Sequence, residues 1–127
     1  MSKKIKTLKN LQKILSKKRK SKKKIVLCHG VFDLLHIGHI KHFREAKSKG
    51  DILVVTVTPD KFVSKGPNRP IFPLNTRMEA ISELDCVDFV APNITSNAIK
   101  PIINLKPNFY CKGQEYKKSS NDSTGLI

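Results

Sequence analysis

Apolar positions along the chain fall into two patterns, short unbroken runs and helical repeats. Ile25-Val26-Leu27-Cys28 and Ile52-Leu53-Val54-Val55-Thr56-Val57 are unbroken, rich in β-branched residues and too short for helices. They predict strands buried on both faces of a parallel sheet. Between them Ile40, Phe43, Ala46 and Lys47 recur at helical spacing, which predicts a helix from about Gly38 to Lys49, closed by Gly50. Residues 59–73, rich in Pro, Gly, Asn and Lys, read as a loop, and a loop of that length in a small domain points to function. Asn75 or Thr76 is placed to cap a helix over Arg77–Leu84, and Val87-Asp88-Phe89-Val90 resembles a third strand. Ser96–Asn104 is a weaker helical segment interrupted by Pro101, and Phe109-Tyr110-Cys111 predicts a fourth strand ending at Lys112-Gly113. The order β-α-β-α-β-α-β predicts one α/β domain with an open, doubly wound parallel sheet and right-handed crossovers.

Ahead of the first strand, Ile5, Leu8, Leu11, Ile14 and Leu15 repeat at helical spacing, with Thr7 or Ser2 as the cap. This predicts an amphipathic helix of about three turns that docks its apolar stripe on the domain. The tract Lys17–Lys24 then joins it to the first strand. The organisation expected is a basic leader over 1–24, a domain over 25–116 and a polar, turn-like tail over 117–127.

Charge sharpens this division. The 127 residues carry a formal net charge of +15 from 25 Lys and Arg against 10 Asp and Glu, yet twelve of those cations and no acid lie in residues 1–24. The remainder is nearly balanced, so the basic arm, not the domain, raises the question of RNA, anionic lipid or an acidic partner. No aromatic residue interleaves its lysines to stack on bases, and a solvated linker is the plainer reading. No apolar run approaches the ~20 residues that span a bilayer, and the N-terminus lacks a secretory apolar segment, so the expected compartment is the cytosol with no membrane span. Cys28, Cys86 and Cys111 are odd in number, widely spaced and without a CxxC pair, which fits reduced core thiols better than disulfides or a zinc knuckle.

In a doubly wound sheet, ligands bind beyond the carboxyl ends of the strands, where the first strand turns into its helix. That turn is His29-Gly30-Val31-Phe32-Asp33-Leu34-Leu35-His36-Ile37-Gly38-His39. Gly30 permits close backbone approach, and His36 and His39 flank the glycine that opens the helix, so both imidazoles can face one anion. Unpaired N–H groups and the positive end of the helix dipole complete a phosphate site, and the dipole favours neutral N–H donors. A zinc site with Asp33 or His42 as third ligand is the alternative, but it leaves Gly30 and Gly38 unexplained.

The run Gly30-Val31-Phe32-Asp33-Leu34-Leu35-His36-Ile37-Gly38-His39 resembles the GxFDxLHxGH signature of the cytidylyltransferase-like nucleotidyltransferases, closest to the glycerol-phosphate cytidylyltransferase and heptose-phosphate adenylyltransferase branch. The resemblance extends over about 110 residues, through Ala46–Asp51, Thr58–Phe62, Lys65–Pro70, Arg77, Cys86-Val87-Asp88 and Lys112–Tyr116. It implies a Rossmann-like fold and an attack by a phosphate oxygen of a small sugar or polyol phosphate on the α-phosphorus of CTP or ATP, with release of pyrophosphate. Mg²⁺ would accompany the triphosphate. His36 and His39 carry over as the catalytic donors, with Gly30, Val31, Phe32, Asp33, Gly38, Lys65, Arg77, Lys112 and Gly113 in the nucleotide and phosphate site.

Several of these have plainer readings. Lys65 is either a phosphate ligand or a surface lysine, Arg77 either a bidentate phosphate contact or a helix-surface ion pair, and Lys112-Gly113 either flank the base and ribose or form a strand-end turn. Asp33 either serves the site or caps the turn, and the turn role is preferred. The chain departs from the pattern at His29, where sugar-phosphate members more often carry Asn or Tyr, and it ends before the hydroxyl-bearing segment that relatives place after the fourth strand. The resemblance therefore implies a fragment or the front of a longer polypeptide, with a kinase-like domain to follow, a homodimer as the assembly and precursor synthesis for surface glycan or lipopolysaccharide as the context. The rival functions are a non-catalytic nucleotide-binding module and a basic-arm adaptor for RNA or membrane.

Overall fold

The unbroken apolar runs form the centre of the molecule. In the computed structural model, which describes residues 2–63 and 66–112, four strands, β1 (Ile25–Gly30), β2 (Ile52–Val57), β3 (Phe89–Pro92) and β4 (Phe109–Cys111), make one parallel sheet in the order β3-β2-β1-β4. Ile25 pairs with Ile52, Val54 with Phe89 and Cys28 with Cys111, which brings the carboxyl ends of the strands to a common edge. The third strand starts two residues later than its apolar run suggests, because Val87 is held in a turn by its N–H to the Leu84 carbonyl (3.1 Å).

Helices α1 (Leu8–Lys20), α2 (Ile37–Lys47), α3 (Leu74–Ser82) and α4 (Ile99–Leu105) cover both faces. Val26, Cys28, Leu53 and Val55 join Phe43, Ala46, Met78 and Ile81 in one cluster, beneath α2 and α3. The alternate residues Ile25, Leu27, Ile52 and Val54 join Leu8, Leu11, Leu15 and Leu105, beneath α1 and α4. Chain direction explains the division. The chain steps from β1 outward to β3 and then crosses back to β4 on the far side of β1, and right-handed crossovers in opposite directions put their helices on opposite faces. The reversal lies at β1, where a doubly wound sheet opens its ligand crevice.

The leader is part of this core, not an appendage. Lys6 donates its N–H to the Val90 carbonyl (2.8 Å) and Val90 donates to the Lys4 carbonyl (2.9 Å), so residues 4–6 cover the outer edge of β3, with Ile5 bridged to Val90. Ile5 therefore lies outside the helix. Thr7 caps α1 by accepting from Asn10 N (3.1 Å), and the helix runs through the lysine tract to Lys20, where a linker was expected from Lys17. Four cations in its last turn oppose the negative end of the helix dipole, which is one reason it continues so far.

Three other boundaries differ from the sequence expectation. Helix α2 begins at Ile37 and ends at Lys47, where the Ser48 N–H closes the last turn onto the Arg44 carbonyl, short of Gly50. Helix α3 starts at Leu74 behind Pro73, whose carbonyl accepts from Arg77 N (3.0 Å), so neither Asn75 nor Thr76 is the cap. Helix α4 starts at Ile99, because residues 93–97 are held as a loop by the Asn93 side chain, which donates to the Asn97 carbonyl (2.6 Å), and by Asn97 Oδ1, which accepts from Ile99 N (3.0 Å). Pro101 does not interrupt it, since it occupies the first turn, where its missing N–H has no intrahelical partner to lose.

Of the thiols, Cys28 and Cys111 are buried and Cys86 is half-buried, and all three are free. Burial, together with the neighbouring Cys111 and Cys86, holds the Cys28 thiol well above its ordinary pKa, so it is an inert core group. Because Leu11 is fully buried between α1 and the sheet, Leu11→Ala is expected to lower stability by about 2–5 kcal/mol in urea denaturation. A leader that is a mere arm would leave the midpoint unchanged.

Candidate functional site

The segment from β1 to α2 crosses the carboxyl edge of the sheet and is fixed from below by two ionic groups. Arg77, on α3, is 2% exposed, and its guanidinium donates from Nη1 to the carbonyls of Val31 (2.9 Å) and Thr58 (2.8 Å), from Nε to that of Phe72 (2.9 Å) and from Nη2 to Asp60 Oδ1 (2.5 Å). Four of the five guanidinium N–H groups are thus committed to protein oxygens. The expected bidentate phosphate contact is not what this side chain makes, and neither is a surface ion pair: Arg77 ties the β1–α2 turn to both ends of the β2–α3 connection. Asp33 does the same one layer higher. Its carboxylate accepts from Ile71 N (2.9 and 3.0 Å), Phe72 N (3.0 Å) and Arg69 Nη1 (3.1 Å), so it pins residues 69–72 beside the turn. Burial opposes its ionisation, but these hydrogen bonds and the Arg69 charge outweigh burial and hold the carboxyl below its ordinary pKa. The role is structural, as preferred from sequence, but it is not a cap of the local turn: the donors lie 36 to 39 residues away, in a second loop.

The two glycines have different reasons from those expected. A Cβ on Gly30 would lie 2.8 Å from the Phe32 ring, so the space over Gly30 is filled by protein, not left for a ligand. Phe32 adopts φ 51° and is 5% exposed, its ring edge-on to Phe43 (centroids 5.1 Å) and to His39 (5.5 Å). A left-handed backbone costs a bulky residue on the order of 1–3 kcal/mol, which these aromatic contacts offset. A Cβ on Gly38 would lie 2.8 Å from His36 Cε1, so Gly38 is what lets an imidazole rest over the first turn of α2.

That imidazole is the helix cap. His36 Nδ1 accepts from Gly38 N (3.0 Å), the His36 carbonyl accepts from His39 N (3.0 Å) and Ile40 N (3.2 Å), and His39 Nδ1 accepts in return from His36 N (3.1 Å). The N–H groups of Gly38, His39 and Ile40 are therefore engaged by His36, and most of the expected cradle of unpaired amides is replaced by a cap built from the two side chains. The rings lie 4.0 Å apart between centroids at 40°, on one side of the backbone, His36 exposed and His39 half-buried. Because each Nδ1 accepts a backbone N–H, each neutral ring carries its proton on Nε2. The arrangement offers two adjacent N–H donors at the positive end of a helix dipole.

At the root of the turn stands His29, whose weight sequence reasoning missed. Its Nδ1 meets Thr56 Oγ1 at 2.9 Å and its Nε2 meets Thr58 Oγ1 at 3.4 Å, linking β1 to the end of β2. Burial lowers its pKa, with the Ser96 and Thr56 carbonyls acting in the opposite direction. The signal available was the His at the carboxyl end of a strand that register places beside Thr56. Arg69 and Asp60 were likewise legible only once their partners Asp33 and Arg77 are in place. His42 turns into the core against Cys28 (3.7 Å). Lys112 follows β4 one residue past Cys111, the partner of Cys28, and so flanks His29 at the reversal point. Lys65 and Gly113 lie outside the described residues. Among the described residues no group of three or more His, Cys, Asp or Glu could hold a metal ion.

The parallel α/β architecture, with a capped two-histidine turn at the sheet reversal, is of the Rossmann-like type. Residues 27–124 match the family described as cytidylyltransferase-like, and the chain belongs to that family. It is 36% identical over 118 residues to the bifunctional protein HldE of Sulfurimonas denitrificans, covering 91% of this chain and 25% of that protein. It is 45% identical over 96 residues to HldE of Hydrogenovibrio crunogenus, covering 74% and 20%. The chain thus spans about a quarter of the length of these relatives or less. Among solved structures, a lipopolysaccharide core biosynthesis protein from Thermoplasma volcanium superposes with a TM-score of 0.65 at 32% identity, covering 83% of this chain and 91% of that one. A pantoate-beta-alanine ligase from Francisella tularensis has a TM-score of 0.64 at 20% identity, over 91% and 58%, which is a likeness of fold.

Two expectations test this geometry. Nitrogen-detected histidine spectra should show both His36 and His39 as the Nε2–H tautomer. Gly38→Ala should disturb that pattern at His36 with a small net change in stability, since a lost cap (about 1 kcal/mol) is offset by alanine's helix propensity (about 1 kcal/mol). For His29, the folded pKa lies below the unfolded one, so the protein binds fewer protons folded than unfolded and loses stability as pH falls through about 6.5 and below. Urea midpoints between neutral and mildly acidic pH should fall in the parent and stay flatter in His29→Gln.

Proposed function

We propose that this domain transfers a nucleoside monophosphate from CTP or ATP to a small sugar or polyol phosphate. A phosphate oxygen of the acceptor attacks the α-phosphorus, the bond to the β-phosphate bridging oxygen breaks, and pyrophosphate leaves with the electron pair. The observation that carries the proposal is the pair of imidazoles 4.0 Å apart, each accepting a backbone N–H at Nδ1, which assigns the ring proton to Nε2. Negative charge grows on the α-phosphoryl oxygens and on the leaving pyrophosphate, and fixed neutral donors stabilise it without reorganising. His36 and His39 are the catalytic donors.

The remaining assignments follow the same reading. Gly30, Val31, Phe32 and Gly38 shape the turn that aims the rings, while Lys65, Lys112 and Gly113 are the phosphate and nucleoside contacts. Asp33 and Arg77 act by holding the loops, not by touching the nucleotide. Mg²⁺ enters as part of the Mg–nucleotide substrate, held by the triphosphate oxygens. The relatives named for HldE and for lipopolysaccharide core biosynthesis support an acceptor of the phosphorylated-sugar class and a role in surface-glycan precursor synthesis. The word bifunctional and the share of those relatives that the chain covers also support a longer polypeptide with a second activity; a homodimeric assembly and a cytosolic setting are parts of the proposal that rest on the family resemblance alone.

The test is pyrophosphate release, measured with CTP and with ATP across a panel of sugar and polyol phosphates, on the chain and on its full-length parent protein. His39→Ala and His36→Ala are each expected to lower kcat by about a hundredfold to a thousandfold, with nucleotide affinity changed far less. Nucleotide binding without pyrophosphate release in the full-length protein would replace this reading with a binding module.

A further inference from the structure

The densest run of cations in the chain lies on one layer of the sandwich. Residues 8–24 and 93–106 hold eleven Lys and Arg and no Asp or Glu. The fold brings α1 and α4, which carry most of them or adjoin them, to the same face of the sheet, where the two helices share one apolar cluster. Arg19 fastens them by donating from Nη1 to the Leu105 carbonyl (2.8 Å). Along α1, Lys9, Lys13, Lys17 and Lys20 are spaced so that they form one exposed stripe, with a lysine about every 6 Å. The stripe borders a cleft of about 550 Å³ whose far wall includes Lys106. Like charges at this spacing repel, and no acid in either segment offsets them, so this face is complementary to an external array of anions.

A second feature narrows the choice of partner. Because Ala98, Pro101 and Leu105 take the inner face of α4, Ile99 and Ile103 stand outward, each 62% exposed, with Ile102 beside them. Neither α1 nor α4 carries an aromatic residue. A nucleic-acid backbone would gain nothing from exposed isoleucines and would find no ring for its bases. A bilayer surface uses both features, anionic headgroups for the lysines and the headgroup–acyl boundary for the isoleucines.

We propose that the α1–α4 face is a peripheral docking surface for an anionic lipid bilayer. The apolar stripe of α1 remains in the core, so the helix presents its lysines and does not itself embed. The cleft runs along α1 on the α1–α4 face, across the sheet from α2, whose first turn carries His36 and His39. Docking there leaves the candidate site open.

Flotation of the full chain with phosphatidylcholine vesicles, with and without phosphatidylglycerol, tests the proposal. Binding is expected only to the anionic vesicles and to weaken as salt rises. Lys9→Gln, Lys13→Gln and Lys17→Gln together should lower partitioning about a hundredfold. Ile99→Ser with Ile103→Ser should lower it at least tenfold, whereas Lys41→Gln with Arg44→Gln on α2 should not change it. Thermal melting of each variant confirms that it folds. Equal binding to both kinds of vesicle, no binding to either, or full binding by the isoleucine variant overturns the proposal. So does a homopolymeric RNA bound with the same lysine dependence and no isoleucine dependence, which would assign the face to nucleic acid.

Discussion

A buried guanidinium holds the site in shape. Taking a charge out of water is costly unless it is fully paired, and Arg77 at 2% exposure meets that condition with three carbonyls and one carboxylate. The three carbonyls come from two connections, one after β1 and the other at both ends of the β2–α3 segment, so one side chain fixes their mutual positions. Neither connection can shift without leaving either the cation or a carbonyl unsatisfied. The turn that carries the histidines inherits its rigidity from this arrangement, and Asp33 extends it to residues 69–72.

On that base the histidines act twice. They terminate α2 by accepting its first amides and their own, and the same hydrogen bonds decide which ring nitrogen keeps the proton. Structure and chemistry are therefore coupled at one atom: a change that breaks the cap also releases the tautomer. Gly38 belongs to this device because any side chain there would displace the His36 ring. Gly30 belongs to it indirectly, through the Phe32 ring that occupies its open side and meets His39 edge-on.

The fold was legible because the strands are unbroken apolar runs and the signature turn is local, so spacing alone conveys it. Element ends were less so. Pro73 and Pro101 begin or enter helices for reasons of missing N–H groups and fixed φ, and Asn93 and Asn97 delay α4 through side-chain hydrogen bonds that periodicity does not encode. At the site, the histidine pair was legible as a pair, but not as a reciprocal cap. Arg77 was misjudged because its partners Val31, Thr58, Asp60 and Phe72 are five to 46 residues away, and a local reading sees only an Arg near a helix start. The docking of the leader helix was legible in its apolar stripe, but the backbone pairing of residues 4–6 with β3 was not, because it joins residues far apart in sequence.

Electrostatics then reconcile the site with an anionic substrate. Two carboxylates, Asp33 and Asp60, stand close to the turn, and left unpaired they would repel a triphosphate. Each is matched by an arginine, Arg69 at 3.1 Å and Arg77 at 2.5 Å, so the local field is set by the helix dipole and the Nε2–H donors. Much of the excess positive charge sits across the sheet, in α1 and beside α4. That layer is not the source of nucleotide affinity at the histidines, since a Debye length of about 8 Å at physiological salt screens charges placed across the sheet. Recognition at the carboxyl edge comes from groups at that edge, above all short-range, oriented hydrogen bonds. That is the condition under which aiming two imidazoles matters more than the overall charge of the chain.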